Sequence, residues 1–269
     1  MKFLSIIRRI RTRTRPVPAK KVRWKIAGCS LAGTTHIRRG RSCEDAVGWF
    51  IHGDLLVIAV ADGAGSAAQP SLGSVVAVRG ALTTLWNVSV LGNPICSENA
   101  TEILGNTCQT TLNIMCRTAA ELGIEPNELA STLIVVVANR TFCAAAHIGD
   151  GAVVVEDANG TLTTLTPPTN GEFANEVVLL GCLPTIDVKV NSLPEFPIKS
   201  VAVLSDGLQR VALQMPQCTP HAPFFSPIFD RLQCFSESEM ESLLKEFLNS
   251  PRVNARCDDD KSLVTAQIS

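Results

Sequence analysis

Residues 132–155 of this 269-residue chain read TLIVVVANRTFCAAAHIGDGAVVV. The stretch contains three runs of β-branched and small apolar residues, at 132–138, 142–148 and 152–155, and such runs are typical of buried strands. Only three residues separate each run from the next, which is too few for a crossover helix. We therefore expect these strands to pair in antiparallel fashion.

Runs of the same kind predict further strands at 55–61, 177–180, 201–204 and 263–268. Helical spacing of apolar residues predicts helices over about 71–86, 99–122 and 237–249. Antiparallel strands with helices packed over one face indicate an α+β layered sandwich. Between residues 156 and 200, prolines at 167, 168, 184, 194 and 197 predict a loop-rich insertion.

Positive charge is concentrated at the N-terminus. Thirteen of the 24 lysines and arginines precede the first acidic residue, Glu44, and from there onward 11 basic residues face 25 acidic ones. We expect residues 1–22 to form a disordered basic tail, able to touch a partner or a membrane surface, ahead of a folded domain over 23–269. The acidic body is unsuited to binding nucleic acid, because phosphate contacts need lysine and arginine.

The composition predicts a reduced protein that does not span a membrane. The chain is 46% hydrophobic, enough for a sizeable core. Its longest apolar run, Leu55–Ala61, is far shorter than the roughly 20 residues that cross a bilayer, so we expect no transmembrane segment. The ten cysteines form no CxxC pair, and we expect free thiols in the cytoplasm.

Aspartates stand at the ends of the predicted strands. Asp-Gly pairs occur at 62–63, 150–151 and 206–207, and Asp45 and the run Asp258–Asp260 lie beside two further apolar stretches. A single Asp-Gly is typical of a turn, but crowded carboxylates repel each other unless cations neutralise them. Oxygen ligands select magnesium or manganese, and two such ions can activate water against a phosphoryl group. The residues alone therefore predict a two-metal phosphoryl hydrolase.

Six motifs, taken in order, resemble those of the protein phosphatase 2C (PPM-type) family, the metal-dependent serine/threonine phosphatases. They are CEDA (43–46), ADGAGS (61–66), STLIVVV (131–137), IGDG (148–151), LSDG (204–207) and DDDKSL (258–263). The block GEFANE at 171–176 is similar to one in the compact bacterial branch. The resemblance spans about residues 24–268. It implies a four-layer αββα sandwich, two antiparallel β-sheets flanked by helices, with a metal cleft at the sheet edge.

The resemblance implies a set of metal ligands for two Mn2+ or Mg2+ ions. Asp62 would bridge both ions, and the Gly63 carbonyl would bind one of them. Asp206 and Asp259 would complete the coordination of one metal. A shift of one residue in the motif would put Asp260 in the place of Asp259.

Three further carboxylates have implied roles around these ligands. Asp45 would orient a metal-bound water, with Glu44 beside it as a second metal-linked carboxylate, and Asp150 would help to hold a weaker third ion. The family mechanism is attack on phosphorus by a water or hydroxide that bridges the metals. It needs no cysteine nucleophile.

The chain departs from the family pattern at two positions. Ala64 stands where many relatives have a histidine that is a suggested general acid, and His36 is the candidate to replace it. The family position of a phosphate-binding arginine falls on Gly40, between Arg39 and Arg41, and we take Arg41 as the candidate with Arg39 as its alternative. A packed or solvent-facing role for His36, and a solvated basic loop for the arginines, are the competing interpretations.

The expected function is a protein phosphatase that acts on phosphoserine and phosphothreonine and is opposed by a serine/threonine kinase. One alternative is a catalytically silent member of the fold that binds phosphoproteins, which a metal titration would test. The other is a two-metal hydrolase of a small phosphate ester. Comparing the turnover of phosphopeptides and nucleotides would distinguish it.

Overall fold

The antiparallel strands predicted from the sequence form two five-stranded sheets in the computed structural model of the chain. The structure describes residues 23–92, 94–168, 179–183 and 188–269. The predicted tail over 1–22 and the GEFANE block at 171–176 lie outside the described residues.

All strand pairs in the two sheets are antiparallel. In spatial order, the first sheet contains β1 (Trp24–Leu31), β12 (Lys261–Ile268), β9 (Ile198–Leu204), β6 (Ala152–Asp157) and β7 (Leu162–Thr166). The second contains β2 (Asp45–His52), β3 (Leu55–Asp62), β4 (Leu133–Ala138), β5 (Cys143–Ile148) and β8 (Lys189–Leu193).

Helices cover the outer face of each sheet. The helices α2 (Pro70–Leu91) and α3 (Ala100–Leu122) pack on the second sheet, and α5 (Ala222–Cys234) and α6 (Glu237–Leu248) pack on the first. Shorter elements connect them: α1 (Thr34–Arg38), α4 (Gln209–Ala212), α7 (Pro251–Asn254), 3-10 turns at Pro126–Leu129 and Asp206–Leu208, and a hairpin of β10 (Leu213–Gln214) and β11 (Thr219–Pro220).

Side-chain alternation along the strands builds the layers. In β3, Leu56, Ile58 and Val60 pack between the two sheets, whereas Val57 and Ala59 face the helices, because successive strand residues point to opposite faces. The result is a helix–sheet–sheet–helix sandwich with one apolar core between the sheets and one under each helical layer. The predicted four-layer α+β architecture is confirmed.

The structure corrects one prediction about the strands and adds detail to two others. The runs at 142–148 and 152–155 do not pair with each other: β5 pairs with β4 and β8 in one sheet, and β6 pairs with β7 and β9 in the other. The chain crosses between the sheets at Gly149, whose φ of +109° is a backbone conformation that glycine adopts readily. The stretch 156–200 is not only loop, since it contains β7 and β8. In the predicted strand 177–180, the described residues provide only an isolated bridge from Leu180 to Ser131.

Of the described helices, α2 alone is long and apolar enough to cross a membrane by length and composition. Its buried side chains include Ala77, Ala81 and Leu85, which join the core under the second sheet. The helix is therefore one half of an outer layer of the sandwich.

Candidate metal centre

The predicted aspartates meet at one edge of the sandwich. Asp45 begins β2 and Asp62 ends β3, and the two residues are direct partners in the antiparallel register. Asp206 follows β9, Asp150 precedes β6, and Asp259 precedes β12, all in the facing sheet. Because the ends and starts of antiparallel neighbours share an edge, strand pairing alone brings these carboxylates together.

A hydrogen-bond chain joins the two sheets at this edge. The Ser205 hydroxyl donates to Asp45 Oδ2 at 2.8 Å and accepts the Ser262 N–H at 3.0 Å. The other oxygen of Asp45, Oδ1, is buried and has no hydrogen-bond partner among the described residues. Our sequence reasoning missed Ser205, although its place directly before the Asp206-Gly207 pair could have pointed to it.

The carboxylates at the edge are held in a protein environment that disfavours their charge. Burial raises the pKa of Asp62, and the neighbouring charges of Asp45, Asp206 and Asp259 raise it further. Burial likewise raises the pKa of Asp206, with Asp150 and Asp259 adding to it, and burial raises the pKa of Asp45 and of Asp150. A bound cation would favour the charged form of each carboxylate and so oppose these shifts.

The donor set fits magnesium or manganese. The converging side chains offer only carboxylate oxygens, the ligands that these hard cations prefer. The orphaned Asp45 Oδ1 is a buried acceptor that a metal-bound water or an ion would satisfy. The structure therefore brings Asp45, Asp62, Asp150, Asp206 and Asp259 into one cluster that fits divalent metal.

A second polar cluster borders the first. Asp260 is 3% exposed and accepts the backbone N–H of Gly33 at 2.6 Å and that of Glu44 at 2.5 Å. His36 Nδ1 lies 2.9 Å from Asp260 Oδ1, and His36 Nε2 lies 3.8 Å from Glu44 Oε2. The other Glu44 oxygen forms an ion pair with Arg41. Glu44 thus faces the Arg41 guanidinium and the His36 imidazole.

Asp259 and Asp260 differ in what they contact. Asp260 is committed to two backbone donors and His36, whereas Asp259 is exposed and accepts one hydrogen bond, from the Asp260 N–H. One donor atom from each of His36, Asp259 and Asp260 lies within 4.8 Å of the other two, so these three could also hold an ion.

An open cleft of about 310 Å3 lies over the cluster. Its lining combines acidic, basic and glycine residues: His36, Arg39, Arg41, Glu44, Asp62, Gly63 and Asp259, with Thr35, Gly65 and Asp258. The structure therefore places the predicted acid candidate, both candidate arginines and the predicted carbonyl ligand beside the carboxylates.

The thiol of Cys43, the first residue of the CEDA motif, is poorly suited to nucleophilic chemistry. Burial raises the pKa of the Cys43 thiol, and the charges of Asp45 and Asp260 raise it further. A thiol in these surroundings stays protonated, and the thiolate is the nucleophilic form. All ten cysteines of the chain are free thiols.

Comparison with known proteins gives one consistent family. A family model described as protein phosphatase 2C matches residues 32–249. Serine/threonine-protein phosphatase 3 of Escherichia coli (strain K12) is 33% identical over 256 residues, which cover 90% of this chain and 98% of that protein.

Solved structures share the fold at lower identity. The serine/threonine phosphatase Stp1 from Staphylococcus aureus has a TM-score of 0.64 at 14% identity, covering 92% of this chain and 96% of its own. The RsbX structure in complex with magnesium has a TM-score of 0.53 at 17% identity, covering 93% and 99%.

Proposed function

The chain belongs to the protein phosphatase 2C family, and from this premise we propose that the carboxylate cluster between its two sheets is the metal centre of a protein serine/threonine phosphatase. One observation carries the proposal: strand register pairs Asp45 with Asp62, and Asp206 and Asp259 of the facing sheet raise the pKa of Asp62. A site of this composition is unfavourable in the folded chain unless cations occupy it. The relative from E. coli is named a serine/threonine-protein phosphatase, and the fold of this chain matches that of a bacterial serine/threonine phosphatase.

We assign two Mn2+ or Mg2+ ions to this cluster, with a weaker third. Asp62, the Gly63 carbonyl, Asp206 and Asp259 would hold the two ions, and Asp150 would contribute to the third. When bound, such ions supply the charge that activates water and neutralises phosphoryl oxygens. The magnesium in the RsbX structure supports this choice of metal.

The chain's own residues would orient the water and the phosphate. The Ser205 hydroxyl donates a hydrogen bond to Asp45 Oδ2, which leaves Asp45 Oδ1 to accept a hydrogen bond from a water. Arg41 is anchored by Glu44, and Arg39 lines the same cleft without a carboxylate within 4 Å among the described residues. Either guanidinium can pair with two phosphate oxygens at once.

We assign proton donation to His36. Departure of a serine or threonine alkoxide requires a proton, and a histidine held by a carboxylate can supply it. His36 lines the cleft, and its Nδ1 is fixed 2.9 Å from Asp260, so the ring presents Nε2 on the side of Glu44. This arrangement would take the place of the family histidine that Ala64 replaces.

The substrate class, the free thiols and the basic N-terminal segment together suggest a cellular setting for the enzyme. A serine/threonine kinase must supply the phosphoproteins that this enzyme would hydrolyse. Ten free thiols favour a reducing compartment, and we assign the enzyme to the cytoplasm. The basic segment over 1–22 would contact a partner or an anionic membrane surface.

The test is phosphate release from a phosphothreonine peptide by the full chain with Mn2+, Mg2+ or EDTA, with a nucleotide as the competing substrate. We expect turnover of the peptide that EDTA abolishes and that exceeds turnover of the nucleotide. Preference for the nucleotide would favour a small-ester hydrolase. A folded chain that binds Mn2+ and hydrolyses neither would favour the silent regulator.

A further inference from the structure

Two arginines line a second hollow next to the metal cluster. This hollow, of about 280 Å3, is bordered by the carboxylates of Asp150, Asp206, Asp258 and Asp259, with Arg210 and Arg256 at its side. Asp259 borders both this hollow and the cleft that contains His36 and Arg41. The two arginines therefore stand beside the carboxylates to which we assign the reaction.

A third arginine extends the basic surface away from the cluster. Arg256 also borders a neighbouring hollow, which Arg252 lines together with the apolar side chains of Phe224 and Phe247. We call the surface formed by Arg210, Arg252 and Arg256 the arginine groove. All three residues are exposed.

The groove concentrates much of the arginine of the acidic body on one surface, beside the aspartates of the hollow. From Glu44 onward the chain has only seven arginines and four lysines against 25 acidic residues, and three of those seven arginines line this one surface. No carboxylate lies within 4 Å of their guanidinium groups in the part of the chain that the structure describes. Their charge is thus available to a ligand.

Buried contacts fix the segments that carry these arginines. The Lys261 ammonium, fully buried, donates to Asn254 Oδ1 at 2.5 Å, and Val253 is buried between Arg252 and Asn254. On the other side, a Cβ at Gly207 would lie 2.0 Å from the Asp260 carbonyl oxygen, so the turn that leads to Arg210 packs directly on the segment that follows Arg256. The backbone that carries the arginines is preorganised, which lowers the entropy cost of binding.

We propose that the arginine groove binds acidic side chains that flank the phosphorylated serine or threonine of the protein substrate. The inference rests on the proposed function, because the groove adjoins the metal cluster through Asp206 and Asp259. A neighbouring residue in an extended peptide lies only about 3.5 Å further along the chain. A carboxylate one or two positions from the phosphate is therefore within reach of Arg210 or Arg256, and arginine pairs with carboxylates in a bidentate manner.

The experiment compares two phosphothreonine peptides that are identical except for glutamates or lysines at the two positions on each side. For the wild-type chain with Mn2+, we expect kcat/KM to be on the order of tenfold higher for the glutamate peptide, and the ratio to shrink as salt screens the arginines. The double variant Arg210→Glu/Arg256→Glu should reverse the preference. Arg117→Glu, the same charge change at an exposed position on α3, is the matched control and should retain it.

Each outcome decides the matter. Equal kcat/KM for the two peptides, a wild-type preference for the lysine peptide, or a glutamate preference that survives in the double variant would overturn the inference. If the double variant unfolds, the neutral variant Arg256→Gln replaces it and should reduce the ratio. Hydrolysis of an aryl phosphate by the wild-type chain with Mn2+ separately tests the proposed function, so a failure of the groove alone is recognisable.

Discussion

Two histidines of this chain stand in opposite surroundings. His36 lies among the carboxylates of Glu44 and Asp260 at the cleft. His147 is buried on the face of β5 that also carries Cys143 and Ala145, which pack between the sheets, and its Nε2 has no partner among the described residues. We therefore expect His36 to affect catalysis and His147 to affect stability.

His36 should matter only when the leaving group needs a proton. We expect His36→Gln to lower kcat for a phosphothreonine peptide by about 10- to 100-fold, because an alkoxide leaves slowly without a general acid. The kcat for p-nitrophenyl phosphate, whose leaving group is stable as an anion, should change much less. Parallel kinetics on the two substrates measure this difference. Equal losses on both would show that His36 holds the site together and does not donate the proton.

His147 should make the fold less stable in acid. Burial lowers its pKa from 6.5 to about 4 in the folded chain, with Lys189 contributing, so the unfolded chain binds more protons between these values. The free energy of unfolding therefore decreases as the pH falls from about 6.5 toward 4, by a total of roughly 3 kcal/mol. Denaturant unfolding of wild type and His147→Leu over this range measures it. A wild-type slope that persists unchanged in the variant would contradict the assignment.

At the scale of single elements, the segment before β12 connects three parts of the fold. Asp260 accepts N–H groups from Gly33, ahead of α1, and from Glu44, ahead of β2. The approach is close, since a Cβ at Gly33 would lie 2.4 Å from the Asp259 carbonyl oxygen. Asp260 therefore supports the architecture of the cleft, and its neighbour Asp259 is left free to serve as the proposed metal ligand.

The two aspartates should respond in opposite ways to removal. We expect Asp260→Ala to destabilise the chain by about 3 kcal/mol, because it leaves buried N–H groups without acceptors. Asp259→Ala should abolish metal-dependent turnover while leaving the stability of the metal-free chain equal or higher, because it removes a repelling charge from Asp62 and Asp206. Thermal unfolding in EDTA and phosphatase assays measure both. A stable Asp260→Ala without activity would make Asp260 the ligand instead.

The elements show where sequence patterns suffice and where they do not. Apolar patterns predicted β3, β4 and β9 and the helices α2, α3 and α6, because these are buried on regular faces. It did not separate β5 from β6, since the pattern of a strand carries no information on which sheet accepts it. It also missed α5, whose sequence contains Pro223 and Pro227, and β7 and β8, which lie in the proline-marked stretch and contain polar residues.

The residues of the site also divide into those that sequence patterns predict and those that they do not. Asp45, Asp62 and Asp206 could be found because each adjoins a predicted strand or apolar stretch, and an edge of a sheet collects strand ends. The Ser205 contact with Asp45 and the Asp260 contacts with Gly33 and Glu44 join residues that are 160 to 227 positions apart. A hydroxyl or carboxylate that bonds across such separations has no local signature, so only the folded chain reveals it.

At the scale of the whole molecule, the proposed metal centre lies where the two sheets face each other, so the titration of its carboxylates affects the stability of the whole fold. Carboxylates with a raised pKa stabilise the fold while they are protonated, and this contribution is lost as the pH rises through the folded-state pKa, which for Asp206 is about 7. Bound cations remove the repulsion and stabilise the native state by mass action.

Metal and pH should therefore act together on stability. Between pH 6.5 and 8.5, where only the end of the His147 titration in the unfolded chain remains, we expect the Tm of the chain in EDTA to fall by several degrees. Mn2+ should raise the Tm more at pH 8.5 than at pH 6.5. Differential scanning calorimetry of wild type and Asp62→Asn provides the comparison, and the variant should show a smaller pH effect. A Tm in EDTA that does not change with pH would contradict the repulsion.

The most direct measurement of the central claim is a calorimetric titration of Mn2+ into the metal-free chain, for wild type and Asp62→Asn. If the carboxylate edge between the sheets is the metal centre, wild type binds two ions tightly, and Asp62→Asn, which lacks the bridging carboxylate, loses tight binding of both while its fold stays intact by circular dichroism. Tight binding of Mn2+ that is unchanged in Asp62→Asn would place the metals elsewhere and contradict the account.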